Sequence, residues 1–272
     1  MLSSRYAVSL VALSVVFAGC GTMGPASSDH AEIYWSYVPG DSGPDDWARI
    51  GYTQCGQGPQ SPIVLTAANY RQTTVGYFYN NQITLNLLND GHTVKDLADP
   101  NEPNWIMFDG DRYVFDQLHF HTPSEHTDFD AQDPNGRRTA MELHVVNLNA
   151  DKTKGAAIAV LIEEDPSAVD PAAYQTLLNV LPNNGGLVRK TGQKIDLYGL
   201  LPQNRAQFYT YVGSLTTPKC DPNVRFFVLK DRVRLTPGRI DRLRKLFQAQ
   251  TPPGNSRPTN GRRAPDLIKN FP

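Results

Sequence analysis

Short apolar or alternating runs, split by turn residues, set the texture of the chain from Ile63 onward. Val75-Gly76-Tyr77-Phe78-Tyr79, Ile83-Thr84-Leu85-Asn86-Leu87 and Tyr113-Val114-Phe115 are of this kind. So are Met141 to Leu148, Ala156 to Ile162 and Arg225 to Leu229. Runs this short, rich in β-branched and aromatic residues, predict strands. Asp90-Gly91, Asp109-Gly110, Asn135-Gly136 and Asn184-Gly185 punctuate them as turns. Helical spacing is found mainly in Pro171 to Leu181 and Pro237 to Gln248. In the second, Ile240, Leu243, Leu246 and Phe247 recur at helical intervals, and Pro237 stands near the start, where its missing N–H costs little. Strands are many, helices few, and the two do not alternate, which argues against a parallel α/β fold. The pattern predicts one mainly-β domain over residues 33–272, without internal repeats. Gln250 to Arg263, polar and rich in proline, is expected to run over the surface.

The N-terminus has a different pattern. Arg5 precedes a short apolar stretch, Ala7 to Ala18, which closes as Phe17-Ala18-Gly19-Cys20. Charge, apolar core and small residues in that order predict a bacterial secretory signal over residues 1–19. The stretch falls short of the roughly 20 apolar residues of a comfortable membrane span. Its small-small-Cys ending resembles a lipobox, which implies a lipidated Cys20 and a tether over residues 20–32. An ordinary signal peptide that leaves Cys20 free is the alternative. Gly21, in place of Asp, favours the outer membrane. The expected product is an exported, periplasmic protein held to the membrane by a lipid anchor only.

The charge balance, 26 Lys and Arg against 27 Asp and Glu, offers nothing to a nucleic acid. No feature of the pattern selects an oligomeric state. Of three cysteines, Cys20 is spoken for by the lipid reading. In an exported chain, the remaining pair, Cys55 and Cys220, is expected to form a disulfide, with two buried free thiols as the alternative.

Three of the six histidines make a pattern. His119 and His121 alternate with Leu118 and Phe120, so a strand would put both imidazoles on one face. His144 lies in a second strand-like run, and Asp133-Pro134-Asn135-Gly136 between them is a strong turn. A hairpin through that turn would bring three neutral imidazoles together. Three ligands with a fourth position open is the catalytic arrangement of zinc, and less distinctively of cobalt, iron or copper. Gln117 and Glu142 each lie two residues before a candidate ligand on the same strand face, placed to accept the ring N–H that the metal does not use. A lone His-x-His is weak evidence; the third histidine and the two acceptors strengthen it.

Four stretches, in this order and spacing, resemble the α-class carbonic anhydrases. They are Gln60-Ser61-Pro62-Ile63, Gln117 to His126 (Gln-Leu-His-Phe-His-Thr-Pro-Ser-Glu-His), Met141-Glu142-Leu143-His144, and Gly213 to Pro218 (Gly-Ser-Leu-Thr-Thr-Pro). The resemblance implies a large, mostly antiparallel twisted central sheet with a few peripheral helices. It implies Zn2+ on His119, His121 and His144, and reversible hydration of CO2 to bicarbonate and a proton by hydroxide held on the zinc. It implies that Thr216 orients this hydroxide and donates its own proton to Glu125. CO2 is uncharged, and Val146, Val160 and Leu215 match an apolar wall beside the metal. Phe226 stands where the family usually has tryptophan, with Arg225 before it, and Lys219 replaces a proline; these departures bear on access and rate. His126 reads as a structural histidine. His92, in Asn89-Asp90-Gly91-His92, matches the family's proton shuttle and is expected to be mobile and solvent-facing, although from the residues alone it is an ordinary turn histidine. Lys95 nearby replaces a residue that is often neutral and would weaken the relay.

Two rivals remain at this stage. His119-x-His121 with Glu125 imitates the first cupin metal motif, which would make the chain an iron or manganese enzyme, but leaves Thr216 without a role. A non-catalytic binding module derived from the same fold typically loses ligand histidines, and here all three are present.

Overall fold

The computed structural model describes residues 33–182, 186, 188–250 and 254–272, with backbone only at 249 and 250. The expected signal, Cys20, the whole tether and the Asn184-Gly185 turn lie outside the described residues. Among those described, the chain forms the strands β1 (Val64–Leu65), β2 (Asn69–Tyr70), β3 (Gly76–Phe78), β4 (Ile83–Asn89), β5 (Val94–Leu97), β6 (Trp105–Phe108), β7 (Asp111–His121) and β8 (Thr127–Asp128). Then come β9 (Met141–Leu148), β10 (Gly155–Glu164), helix α1 (Ala172–Asn179), β11 (Arg189–Ile195), β12 (Phe208–Ser214), β13 (Pro222–Leu229), β14 (Val233–Leu235), helix α2 (Pro237–Gln250) and β15 (Ile268–Lys269). Both expected helices and the expected strands are present, with boundaries shifted by a few residues.

Thirteen strands make one sheet whose main path runs β11-β4-β5-β7-β9-β10-β13-β12-β15-β2; β1 and β8 pair separately. Most neighbours are antiparallel; β10 with β13 and β14, and β15 with β2, are parallel. The sheet is open at both ends of its path. It is therefore not the closed or double-sheet barrel of a cupin, and that rival falls.

The central strands are covered on both faces, which is why Met141–Leu148 reads as an almost unbroken buried run rather than an alternating one. One face, with Leu118, Phe120, Leu143, Val145, Ile158 and Val160, packs under Tyr174, Leu177 and Leu178 of α1 and Ile240, Leu243 and Phe247 of α2. The other face carries a smaller apolar group, including Ala157, Ala159, Leu161, Tyr211, Phe226 and Val228. A third group, Trp35, Tyr37, Trp47, Tyr52 and Cys55 with Cys220, packs as a separate cluster. Cys55 and Cys220 are joined in a disulfide across a sequence separation of 165.

Two expectations are corrected here. Val160 does not line the metal side of the sheet. Across the ladder His144 faces Ala159 and Leu143 faces Val160. Because side chains alternate at period two, Val160 goes to the helix side with Leu143, and the small Ala157 and Ala159 take the metal side. The segment after α2 does not simply run over the surface: Asn255, Arg257 and Thr259 are buried. Gly254 makes the approach possible. A Cβ there would lie 2.2 Å from the Thr122 carbonyl oxygen, and its φ of +151° suits glycine.

Candidate metal centre

β7 and β9 are adjacent and antiparallel, and His119 pairs directly with His144 across the ladder. Period two then puts His121 beside Glu142, and Gln117 beside Val146, on the same face. The hairpin expected through Asp133–Gly136 is a longer excursion. Gly136 N–H donates to the Asp133 carbonyl, but that turn closes between Asp128 and Arg137, inside the connection from β7 to β9.

The three rings converge, with centroids 4.7–5.2 Å apart. One ligand nitrogen from each lies within 4.8 Å of the others. Each ring spends its remaining nitrogen on an acceptor. His119 Nδ1 donates to Gln117 Oε1 at 2.8 Å. His144 Nε2 donates to Glu142 Oε1 at 2.8 Å. His121 Nδ1 donates to the Asn255 carbonyl at 2.8 Å. These bonds fix tautomer and ring plane, and leave one nitrogen per ring for a cation. Sequence reasoning missed Asn255 as an acceptor. A backbone carbonyl far along the chain leaves no mark in residue spacing; a glycine directly before Asn255 was the available hint.

Glu142 is saturated. Its Oε1 also takes His126 Nδ1 at 2.6 Å, and its Oε2 takes the backbone N–H groups of Glu125 and His126 at 2.8 Å each. His126 Nε2 in turn lies 2.6 Å from the Tyr211 hydroxyl, itself 2.9 Å from Ser61 Oγ. Ser61, from the Gln-Ser-Pro stretch, thus joins a buried polar chain that starts at a candidate ligand and continues to Ser214 N–H, which donates to Ser61 Oγ at 3.2 Å. His126 is structural, as the sequence suggested.

Glu125 is fully buried, and its Oε1 accepts from Arg257 N at 2.8 Å. Its Oε2 lies 3.4 Å from His121 Nε2, and neither of these atoms has a hydrogen bond. A buried imidazole nitrogen and a buried carboxylate oxygen without partners demand an explanation. A divalent cation bound by three imidazoles, with a water beside it, supplies one, so the residues fit zinc. Thr216 is buried on the loop after β12, but no hydrogen bond joins it to Glu125 in this structure.

Electrostatics favour neutral ligands on two of the rings. Burial, helped by His121, His144 and Lys95, holds His119 well below the usual histidine value. Burial also lowers His121, against the pull of Glu125. Burial pulls His144 down, but Glu142, with Glu125 adding to it, raises it, which makes that ring the more basic donor. Burial pushes Glu142 up, but His126 and His144 together hold it well below the carboxylate range. It therefore carries its charge beside the ligand.

Around the rings the surface is apolar on one side. Val146 is buried on the metal face, and Leu215 packs in the group with Ala157 and Ala159. The Phe226 ring lies 5.5 Å from that of His144 and stacks on Tyr211 at 5.4 Å. His92 corrects an expectation. It is half-buried rather than openly solvent-facing, with its ring stacked on Trp35 at 3.7 Å and 9°. Lys95, opposite His119 on β5, is paired with Asp90 at 2.7 Å, so its charge is partly compensated.

Comparison with known proteins agrees with this geometry. A family model described as eukaryotic-type carbonic anhydrase matches residues 42–269. A carbonic anhydrase of Klebsiella pneumoniae is 31% identical over 212 residues, 76% of this chain and 80% of that protein. One of Neisseria gonorrhoeae is 30% identical, over 83% of this chain and 85% of that protein. The solved α-carbonic anhydrase of Thermovibrio ammonificans, in complex with the inhibitor sulfanilamide, superposes with a TM-score of 0.74 at 29% identity, covering 88% of this chain and 99% of that one.

Proposed function

The chain belongs to the eukaryotic-type carbonic anhydrase family, and from that premise we infer how its own residues serve the reaction. It is a zinc enzyme that interconverts CO2 with bicarbonate and a proton. The observation that carries this is the set of three buried imidazoles, each with one nitrogen committed to an orienting acceptor and one left for a metal. Zinc bound there supplies Lewis acidity, which makes water acidic enough to ionise near neutral pH. A binding module has no need of three oriented ligands.

Gln117, the Asn255 carbonyl and Glu142 hold the ligand rings in place. Thr216 is proposed to orient the attacking oxygen, with Glu125 as acceptor of the threonine proton; the unpartnered Glu125 Oε2 supports this. Val146, Leu215 and Phe226 offer uncharged CO2 an apolar wall, to which Ala157 and Ala159 belong. His92 is proposed to take the proton that each hydration releases. Histidine is the side chain whose unperturbed pKa, about 6.5, lies nearest neutral pH, which suits that role, and the place of His92 in the turn before β5 supports it.

We further propose that the protein is exported and anchored through a lipidated Cys20. The disulfide supports an oxidising compartment. No helix among the described residues is long and apolar enough to cross a membrane. Replacing Cys20 by Ser should release the protein from membranes; persistence there would refute the anchor.

The test of function is stopped-flow CO2 hydration on metal-analysed protein. About one zinc per chain is expected, and His144→Ala should lose both zinc and hydration. Full activity in that variant would overturn the assignment.

A further inference from the structure

The turn that carries His92 is bound together by one carboxylate. Asp90 Oδ1 accepts from the backbone N–H of His92 at 2.9 Å and of Thr93 at 2.8 Å. Asp90 Oδ2 receives Lys95 Nζ at 2.7 Å. Asp90 N–H returns to the Thr93 carbonyl at 3.1 Å, and Thr93 Oγ1 donates to the Phe120 carbonyl of β7 at 2.9 Å. Lys95 stands on β5 directly opposite His119. Its side chain starts from the metal face of the sheet, and its ammonium is held back at the turn.

We propose that the Asp90–Lys95 ion pair is a positioning device for His92: it fixes the turn so that the imidazole stays stacked on Trp35, and it pairs the charge of the lysine that stands opposite His119 with a carboxylate. The inference rests on the reading of His92 as proton acceptor. Without the pair, the Asp90 carboxylate has one anchor fewer, and the turn is left to its backbone bonds and to Asn89 Oδ1, which accepts from Gly91 N–H at 3.0 Å, at a glycine that holds a φ of +86°. Released from Asp90, the ammonium could also swing toward the metal. The lysine, which by sequence looked like a handicap for the relay, thereby becomes part of its support. Both side chains are about one-third exposed or less, so the pair is screened by water, and its effect should be modest.

The experiment uses the full-length, zinc-loaded protein and compares Lys95→Met, Asp90→Asn, Lys95→Arg and His92→Ala. Lys95→Met and Asp90→Asn should each lower kcat in weak buffer by about two- to fivefold, the scale a partly exposed ion pair supports. kcat/KM should stay nearly unchanged, and added imidazole should restore kcat. Lys95→Arg, which keeps the pair, should behave as the parent. In the His92→Ala background, Lys95→Met should cost nothing further. A second reading needs no catalysis: the His92 ring protons, shifted upfield in NMR by the Trp35 indole, should move toward ordinary positions in Lys95→Met and Asp90→Asn. If His92→Ala is impaired while Lys95→Met keeps parental kcat and an unmoved His92 signal, the positioning device is refuted and the relay stands. If His92→Ala runs at the parental rate, the relay reading falls, and the His92 signal alone decides for or against the positioning.

Discussion

Glu142 Oε1 lies 2.8 Å from His144 Nε2, and the same oxygen lies 2.6 Å from His126 Nδ1. One buried carboxylate thus orients a metal ligand and anchors a structural histidine. Its second oxygen also holds the backbone of Glu125.

Removing the charge there should weaken the metal before it touches the chemistry. Glu142→Gln keeps much of the shape but cannot accept from both rings as well. A loss of about 10- to 100-fold in zinc affinity is expected, measured by competition with a chelator. An unchanged affinity would mean that the three rings are oriented by the sheet alone.

Thr216→Ala should separate binding from reaction. Thr216 is not one of the candidate ligands, so zinc content should stay at the parental level. CO2 hydration should fall by about 10²-fold or more, as expected when an oriented hydrogen-bonding group at a reacting oxygen is lost. Parental turnover would remove Thr216 from the mechanism.

The disulfide should be a main prop of stability. Joining residues 165 apart constrains the unfolded chain by roughly 4–5 kcal/mol in the loop-entropy model. For a domain of this size, the double variant Cys55→Ser/Cys220→Ser should melt about 10 °C lower. Cys220 also donates its N–H to the Thr217 carbonyl at 2.7 Å, so activity should decline before global unfolding when the bond is reduced. Ready alkylation of both thiols in unfolded, unreduced protein would contradict the bond.

Asp96 should give stability a pH dependence. Burial, with Glu102 adding to it, pushes its carboxyl up to about 7, although the Asn86 N–H favours the charged form. The folded pKa is above the unfolded one, near 3.9, so the folded state holds the proton more tightly. The contribution is complete below pH 4 and is lost as pH rises to about 7. Asp96→Asn does not ionise. Its stability relative to the parent should therefore improve steadily from pH 4 to 7, by roughly 2–4 kcal/mol, and then level off. A difference that stays flat across this range would show that Asp96 ionises freely in the fold.

Much of this protein was written in local pattern. Period two at Leu118-His119-Phe120-His121 determined that two imidazoles share a face, and the same rule placed Gln117 and Glu142 next to their rings. These readings needed nothing beyond a strand, because neighbours two apart on a strand are neighbours in space. Other features depended on which strands meet and in what register. That His119 stands opposite His144, rather than one residue to either side, is a property of the ladder between β7 and β9. A one-residue slip would have turned His144 into the helix-side core. Val160 was misplaced for this reason: an apolar residue in a strand buried on both faces carries no sign of which face it takes. The Asn255 carbonyl on His121 arises from a contact across 134 positions, made by a backbone atom every residue possesses. Likewise, His92 in a polar turn looked free to move until the distant Trp35 was folded against it. Sequence by itself determined the chemistry available, because side-chain type sets what can bind a metal or move a proton. The tertiary structure decided which of those groups meet, because long-range register and packing depend on the sum of many weak contacts that no local stretch contains.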